Sequence, residues 1–254
     1  MIVLLVIIGL CVAGFIAAFV DSIAGGGGLI SLPAFLLAGV PPHFALGTNK
    51  FASTAASLTS SIKYARSAKV NGALMRYLVP LTLVGAALGV KAVLHLDPRF
   101  LQALVLVMII AVGLYSLFSK KVGLTDRFSG LTRGKIGLGM VLALGIGFYD
   151  GFFGPGTGSF LIFGLIGIYG FDFINAGGNA RVLNFISNVT ALLLFAWQGR
   201  INYHYGIPVA LAMIAGAQLG TKMALQNGVK LVKPLFVTMS LGVAGKVLWG
   251  MFNG

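Results

Sequence analysis

The two halves of this sequence match each other over most of their length. Asp21 in the first half corresponds to Asp150 in the second, 129 positions later, and Asn49 corresponds to Asn179, 130 positions later. Further along, the run GAALGVK is answered by GAQLGTK at an offset of 131. Offsets that drift so little predict two copies of one structural unit. We place the copies at residues 1–118 and 136–254, joined by a short basic linker at residues 119–135.

Each copy contains five apolar segments that predict helices. They cover residues 2–20, 29–39, 44–62, 77–95 and 100–117 in the first copy, and residues 136–149, 159–169, 174–197, 205–223 and 234–252 in the second. A helix needs roughly 20 apolar residues to cross a bilayer, so the second segment of each copy is too short to cross alone. Both short segments follow a glycine-rich break. The pattern predicts an all-α integral membrane protein of two pseudo-symmetric repeats.

The composition excludes an ordinary soluble fold. Hydrophobic residues make up 58% of the chain and charged residues 9%, whereas a typical soluble domain has about 25% charged residues. The net charge is +13, which in a soluble protein would suggest a nucleic-acid partner. In a membrane protein the same excess is explained by basic cytoplasmic loops, so we expect no nucleic-acid partner. The apolar start lacks a basic leader region, so we interpret it as an uncleaved first span.

The distribution of basic residues favours inverted rather than parallel repeats. Four basic residues lie between the third and fourth segments, and five lie in the linker; two predicted helices separate these regions, which places both on one side. Inversion adds Lys222, Lys230 and Lys233 to that side and leaves Arg200 on the other. A parallel arrangement places Arg200 on that side and the three lysines on the other, so fewer basic residues share one side. Because basic loops are cytoplasmic, we expect inverted repeats.

The glycine-rich breaks are candidate substrate-binding elements. Successive glycines can turn backbone N–H groups toward one point and form an anion-binding nest, and the N-terminus of the following helix adds a positive dipole end. Close helix packing would also explain one such run, but two runs at corresponding positions favour a site. The residues predicted here are Gly25, Gly26, Gly27 and Gly28 in the first copy, and Gly154, Gly156, Thr157, Gly158 and Ser159 in the second.

The third segment of each copy carries a polar stripe. Polar residues at membrane depth are costly and usually face a cavity or another helix. We predict substrate-binding roles for Asn49, Lys50 and Ser53, and for Asn179, Arg181 and Asn184; Ser57, Ser187 and Asn188 extend the stripes. Lys50 and Arg181 could snorkel to the interface, or they could balance the charge of an anionic substrate and donate hydrogen bonds to it.

Asp21 and Asp150 are two of only five acidic residues, and they occupy corresponding positions. Buried carboxylates could carry coupling protons, or they could cap the short helices after the glycine breaks. No spacing of His, Cys and Asp resembles a metal site, and no serine lies near a histidine in a hydrolase pattern. Walker motifs are also missing. We therefore predict neither an enzyme nor a cofactor.

Three motifs resemble the sulfite exporter TauE/SafE family. They are DSIAGGGGLISLPAFLLAGVPPHFALGTNK, GFYDGFFGPGTGSF and NARVLNFISN, and the resemblance covers both repeats. It implies a secondary carrier of sulfur-containing anions, such as sulfite or organosulfonates, in the inner or plasma membrane of a prokaryote. It also implies functional positions at the two glycine runs, at Asn49 and Lys50, and at Asp150 and Asn179.

We therefore expect a transporter that moves a small oxyanion by rocking one repeat against the other. Protons are a candidate coupling ion. An anion channel would use the same residues without an occluded state. A metal-cation exporter and a membrane assembly partner are further alternatives, although few metal ligands are present. The direction of transport and the oligomeric state do not follow from the sequence.

Overall fold

A computed structural model describes residues 2–101, 104, 107–108 and 125–227 of the chain. This part of the protein is helical and contains eight principal helices. They are α1 (Ile2–Ala24), α2 (Gly28–Leu37), α3 (Pro42–Arg66), α4 (Gly72–Leu94), α5 (Arg133–Phe152), α6 (Thr157–Tyr169), α7 (Phe173–Trp197) and α8 (Tyr203–Asn227).

Several helices begin earlier than the apolar pattern predicts, because a polar side chain caps them. Asn71 accepts a hydrogen bond from the backbone N–H of Leu74 at 3.0 Å, so α4 starts at Gly72 rather than at residue 77. Thr132 caps α5 in the same way, and Asp172 caps α7. Such caps satisfy N–H groups that have no partner within the helix.

The predicted short second helices are present. α2 has 10 residues and α6 has 13, and each follows one of the glycine-rich breaks. The predicted fifth segment of the first copy lies largely outside the described residues, and that of the second copy lies wholly outside them.

The molecule exposes apolar side chains and buries polar ones, as expected for a protein surrounded by lipid. Leu193 is 64% exposed, while Lys50 is 2% exposed and Arg181 is 1% exposed. In the part of the chain that the structure describes, five helices are long and apolar enough to cross a membrane: α1, α4, α5, α7 and α8. α3 is as long as α7 but more polar, and it contacts α7 and α8 in the interior.

Glycines allow two pairs of helices to pack backbone against backbone. A Cβ at Gly85 or Gly89 of α4 would overlap the carbonyl oxygens of Leu144 and Phe148 on α5. Gly216 and Gly220 of α8 meet the backbone of α1 in the same manner, at Phe15 and Phe19. Residue numbers rise together along both contacts, so the paired helices are parallel. These glycines belong to the matching runs GAALGVK and GAQLGTK.

α3 and α7 cross at the centre and run antiparallel. Near one end of the contact Gly47 lies against Phe195, and near the other Gly177 lies against the Tyr64 hydroxyl. The two glycine breaks meet beside this crossing. Gly25 packs against the backbone of Gly158 and Ser159, and Gly28 packs against Pro155. The fold therefore brings both breaks and both polar helices to one place.

Candidate functional site

A small cavity lies where the breaks and the polar helices meet. Its wall combines glycine backbone, charged groups and amides. Twelve of the predicted residues line it: Asp21, Gly27, Gly28, Asn49, Lys50, Ser53, Asp150, Gly154, Gly156, Thr157, Gly158 and Asn184. The first turns of α2 and α6 thus both reach the cavity, and their positive dipole ends favour negative charge there.

Lys50 of α3 forms an ion pair with Asp150 of α5 across the two halves of the sequence. Its Nζ lies 2.7 Å from Oδ1 of Asp150, and both side chains are 3% exposed. The ammonium also donates to Oδ1 of Asn188 at 3.1 Å. Asn188 in turn donates to Oδ1 of Asn184 at 2.6 Å. The cation therefore has a fixed position at the cavity wall.

Two hydroxyl groups complete the surroundings of Asp150. Thr157 Oγ1, in the first residue of α6, donates to Oδ1 of Asp150 at 2.9 Å. Ser187 of α7 donates to Oδ2 of Asp150. The carboxylate thus joins α3, α5, α6 and α7 through its hydrogen bonds.

A second ion pair joins Arg181 of α7 to Asp21 of α1. The Arg181 side chain is 1% exposed, whereas that of Asp21 is 25% exposed. Oδ1 of Asp21 accepts a hydrogen bond from the backbone N–H of Gly27 at 3.0 Å, just before α2 begins. Arg181 itself does not line the cavity, because the Gly158 backbone lies beside Nη2 of its guanidinium group.

The contacts of α3 and α7 align these helices with an offset of 131. Gly47 packs on the carbonyl oxygen of Arg200, and Gly178 packs on that of Lys69. One position further on, Thr48 Oγ1 accepts from the N–H of Asn202, and Asn179 Oδ1 accepts from the N–H of Asn71, both at 2.9 Å. By sequence identity alone, Asn49 had matched Asn179 at an offset of 130.

The shifted alignment makes Lys50 and Arg181 counterparts. Each of them pairs with the acid of the other half, Asp150 or Asp21. Within the described residues these are the ion pairs between side chains. The sequence indicated the four charged groups but not that they neutralise one another.

Five predicted site residues lie outside the cavity wall. Asn179 holds the turn before α4, as described above, and Arg181 lies behind Gly158. Gly25 and Ser159 pack against each other where the breaks meet, and Ser159 Oγ donates to the carbonyl oxygen of Ala24 at 3.2 Å. Gly26 has a positive φ of 90° in the turn before α2. These five residues position the elements around the cavity but do not line it.

Asn188, predicted as an extension of the polar stripe, also lines the cavity. The remaining wall residues were not singled out from the sequence: Ala17, Ala18, Ser31, Ala56 and Met213. The alanines and Met213 carry no chemical signal, so only the packing of α1, α3 and α8 identifies them.

Two buried polar atoms near the centre have no hydrogen-bond partner among the described residues: Oδ1 of Asn49 and Nη2 of Arg181. Leaving a buried polar group unpaired costs roughly 1–3 kcal/mol. Asn49 lines the cavity, whereas Arg181 lies behind its wall. The amide oxygen of Asn49 is an acceptor, so it is a candidate contact for a hydrogen-bond donor on a ligand.

An apolar exterior, helices long enough to cross a membrane and a central, ion-paired cavity between broken helices define a multi-pass membrane protein built for transport. The chain matches the family Sulfite exporter TauE/SafE over residues 10–247. It therefore belongs to this family of membrane transporters, and it is not an enzyme.

Relatives over nearly the whole chain carry the same general description. A "Probable membrane transporter protein" of Haemophilus influenzae is 38% identical over 93% of this chain and 92% of its own length. The "Probable membrane transporter protein ORF9" of a Sinorhizobium species is 39% identical over 94% and 91%. "Probable membrane transporter protein YfcA" of Escherichia coli K12 is 35% identical over 92% and 86%. No solved structure matches the chain.

Proposed function

We propose that this protein is a secondary transporter that carries a small oxyanion, of the sulfite or organosulfonate class, across a prokaryotic inner or plasma membrane. The observation that carries the proposal is the ammonium of Lys50, 2% exposed, at the wall of a cavity between two broken helices. A buried cation beside two helix N-termini is an arrangement suited to a small anion.

The family description supports an anion as substrate. Polar amides of Asn49 and Asn184 stand beside Lys50 in the wall. A sulfonate or sulfite group has three oxygens that accept hydrogen bonds, and these amides and the ammonium are donors of the kind it needs. The apolar wall residues Ala17, Ala18 and Met213 are suited to contact a short organic substituent.

An alternating-access carrier suits this arrangement better than an open channel. The two breaks touch each other, since Gly25 meets Ser159 and Gly28 meets Pro155. This contact joins the two breaks directly beside the cavity. Opening the cavity at this contact would require the two breaks to separate, as in a rocking motion of one half against the other.

Inverted repeats are part of the proposal. Support comes from the crossing of α3 and α7, whose residues match with an offset of 131 and which run antiparallel. The parallel pairs α1 with α8 and α4 with α5 are also what a two-fold relation between the halves would produce. Two repeats related in this way provide two similar conformations that open on opposite sides.

The proposal is tested by ligand-dependent thermal stability and by transport. Purified protein is heated with sulfite, thiosulfate, short organosulfonates or carboxylates, because a ligand that binds the folded state raises the melting temperature. Proteoliposomes then measure counterflow of the stabilising anion. We expect stabilisation by sulfur oxyanions and saturable counterflow.

The matched variants are Lys50→Met and Lys63→Met, which remove one ammonium each from α3. Lys63 donates to the carbonyl oxygen of Gln218 outside the cavity. We expect Lys50→Met to lose the anion response by at least tenfold in affinity, as roughly 1.5–3 kcal/mol is typical for a hydrogen bond to a charged group. Lys63→Met should keep it. Flux without saturation or counterflow would indicate a channel, and no response to any anion would overturn the proposal.

A further inference from the structure

The two acids at corresponding positions have different hydrogen-bond partners. Asp21 accepts from the guanidinium of Arg181 and from the backbone N–H of Gly27. Both of these groups can only donate. Asp150 accepts from Lys50, and also from the hydroxyl groups of Thr157 and Ser187. A hydroxyl group can donate or accept, so these partners can serve both protonation states of a carboxyl group.

Each hydroxyl beside Asp150 has a second acceptor for its one hydrogen. Ser187 Oγ lies 3.0 Å from the carbonyl oxygen of Asn184, and Thr157 Oγ1 lies 2.6 Å from that of Gly154. If Asp150 takes up a proton on Oδ2, Ser187 can turn its hydrogen to the carbonyl and accept the new one. No side chain has to move for this exchange. Asp21, in contrast, has no partner that could accept a hydrogen, since both of its partners are donors.

The charge balance at the cavity couples protonation of Asp150 to the binding of an anion. Lys50 and Arg181 are neutralised by Asp150 and Asp21, so the four groups sum to zero. An anion that enters would add an uncompensated charge in a buried place, which is strongly unfavourable. A proton on Asp150 releases the ammonium of Lys50 to pair with the anion. Proton and anion thus stabilise each other's binding.

The helices packed against α5 bring few other charges to Asp150. α3 contributes Lys50, and α7 contributes Arg181, which is paired with Asp21 of α1. On α4, Arg76 and Lys91 lie at exposed positions near the helix ends. Tyr149 precedes Asp150 on α5, and its hydroxyl donates to the carbonyl oxygen of Pro155 at 2.5 Å. Lys50 is therefore the charged group in direct contact with Asp150.

We propose that Asp150 is the proton-binding site of the transporter, that one proton loads with each monovalent anion, and that Asp21 stays ionised as the fixed partner of Arg181. This inference rests on the proposed anion transport. It gives the two corresponding acids different roles: Asp150 exchanges its ion-pair partner in each cycle, and Asp21 does not. The proton enters from water in the cavity, and Lys50 keeps its charge throughout.

The test counts the protons taken up when an anion binds. Methanesulfonate is a suitable probe because it is the anion of a strong acid, and its charge does not change over the pH range in which a carboxyl group titrates. Calorimetric titration in two buffers of different ionisation enthalpy yields the number of protons per anion. We expect about one proton for the parent protein at a pH where Asp150 is ionised, and a dissociation constant that rises roughly tenfold per pH unit there.

Asp150→Asn is expected to take up no proton and to bind methanesulfonate with the same affinity at every pH. Ser187→Ala removes a hydroxyl group that donates to the ionised carboxylate of Asp150, and because such a charge-assisted bond is the stronger one, the binding curve should move to higher pH. Thr190→Val is the matched control on α7, since Thr190 donates to its own helix at Ile186 and does not line the cavity. It should behave like the parent. Asp21→Asn, if it is stable enough to measure, should still take up a proton.

The outcomes separate the two proposals. If the parent protein binds no sulfur oxyanion, the proposed function fails. If the parent binds methanesulfonate without proton uptake, or if Asp150→Asn still takes up a proton, the assignment of Asp150 is wrong while anion transport stands. Loss of uptake in Asp21→Asn with retention in Asp150→Asn would reverse the two roles.

Discussion

Arg181 is the largest of the fully buried side chains among the described residues, and its partner is partly open to solvent. Asp21→Ala would leave the guanidinium group of Arg181 without its ion-pair partner. Nη2 of the same group already has no hydrogen-bond partner among the described residues. Removing one member of a buried pair costs about 3–5 kcal/mol. Because Asp21 is 25% exposed, we expect the lower end, about 3 kcal/mol, as a lower melting temperature in detergent.

A second substitution tests the cause of that loss. Adding Arg181→Met to Asp21→Ala removes the unpaired charge and replaces it with an apolar chain of similar length. The double variant should melt at a higher temperature than Asp21→Ala alone, because an apolar replacement of a buried pair is often neutral. A double variant that is less stable than the single one would show that Arg181 stabilises the fold through other contacts.

Residue-level sequence reasoning identified the charged groups but not their partners. Lys50 and Arg181 were visible as cations within apolar segments, and Asp21 and Asp150 as matching acids. Their pairing depends on how α5 lies against α3 and α1 against α7, which no local pattern reports. Residue identity pairs Asn49 with Asn179, whereas the hydrogen bonds relate Thr48 to Asn179, since each accepts from a backbone N–H at the turn after the other long helix.

Among the helices, glycine decides how closely two backbones approach. A Cβ at Gly147 of α5 would lie 2.6 Å from the carbonyl oxygen of Thr82 on α4, while nothing lies within 4 Å of one at Gly145. We therefore expect Gly147→Ala to destabilise the protein by about 1–3 kcal/mol, the usual cost of overpacking. Gly145→Ala should be neutral or stabilising by up to about 1 kcal/mol, through helix propensity. Thermal melting of the two variants measures the difference, and equal melting temperatures would contradict it.

The breaks before the short helices depend on glycine for a different reason. Gly25, in the first break, has a φ of 81°. Gly39, shortly after α2, has a φ of 79° and serves as the comparison. A side chain at either position is strained by about 1–2 kcal/mol. A Cβ at Gly39 meets open space, but one at Gly25 would overlap the backbone of Ser159. Gly25→Ala should therefore lower anion binding and transport in proteoliposomes at least tenfold more than Gly39→Ala does. Similar losses in both would mean that backbone strain, not contact between the breaks, is what matters.

The sequence predicted the number and order of these helices well and their contacts poorly. Apolar length and the glycine runs were sufficient to locate α2 and α6. The parallel pairs were not predicted, although GAALGVK and GAQLGTK contain the glycines responsible. Glycine four positions apart indicates a close contact but does not identify the helix on the other side.

Across the whole molecule, the proposed inversion makes a prediction about the two sides of the membrane. Ser67 ends α3 and Gln198 ends α7, both residues are exposed, and they are 131 positions apart. Inverted repeats place these two residues on opposite sides, whereas parallel repeats place them on the same side. The cations Lys63, Arg66 and Lys69 near Ser67 favour the cytoplasm for that end.

Cysteine labelling in intact cells distinguishes the arrangements. In a Cys11→Ser background, Gln198→Cys should react with a membrane-impermeant maleimide, and Ser67→Cys should react only after the membrane is permeabilised. Each variant is the control for the other, because both residues follow a helix of 25 residues and precede a turn of similar length. Labelling of both from the same side would rule out inversion, and with it the rocking of two equivalent halves. Anion binding at Lys50 would remain a separate question, since it depends on the local site and not on the symmetry around it.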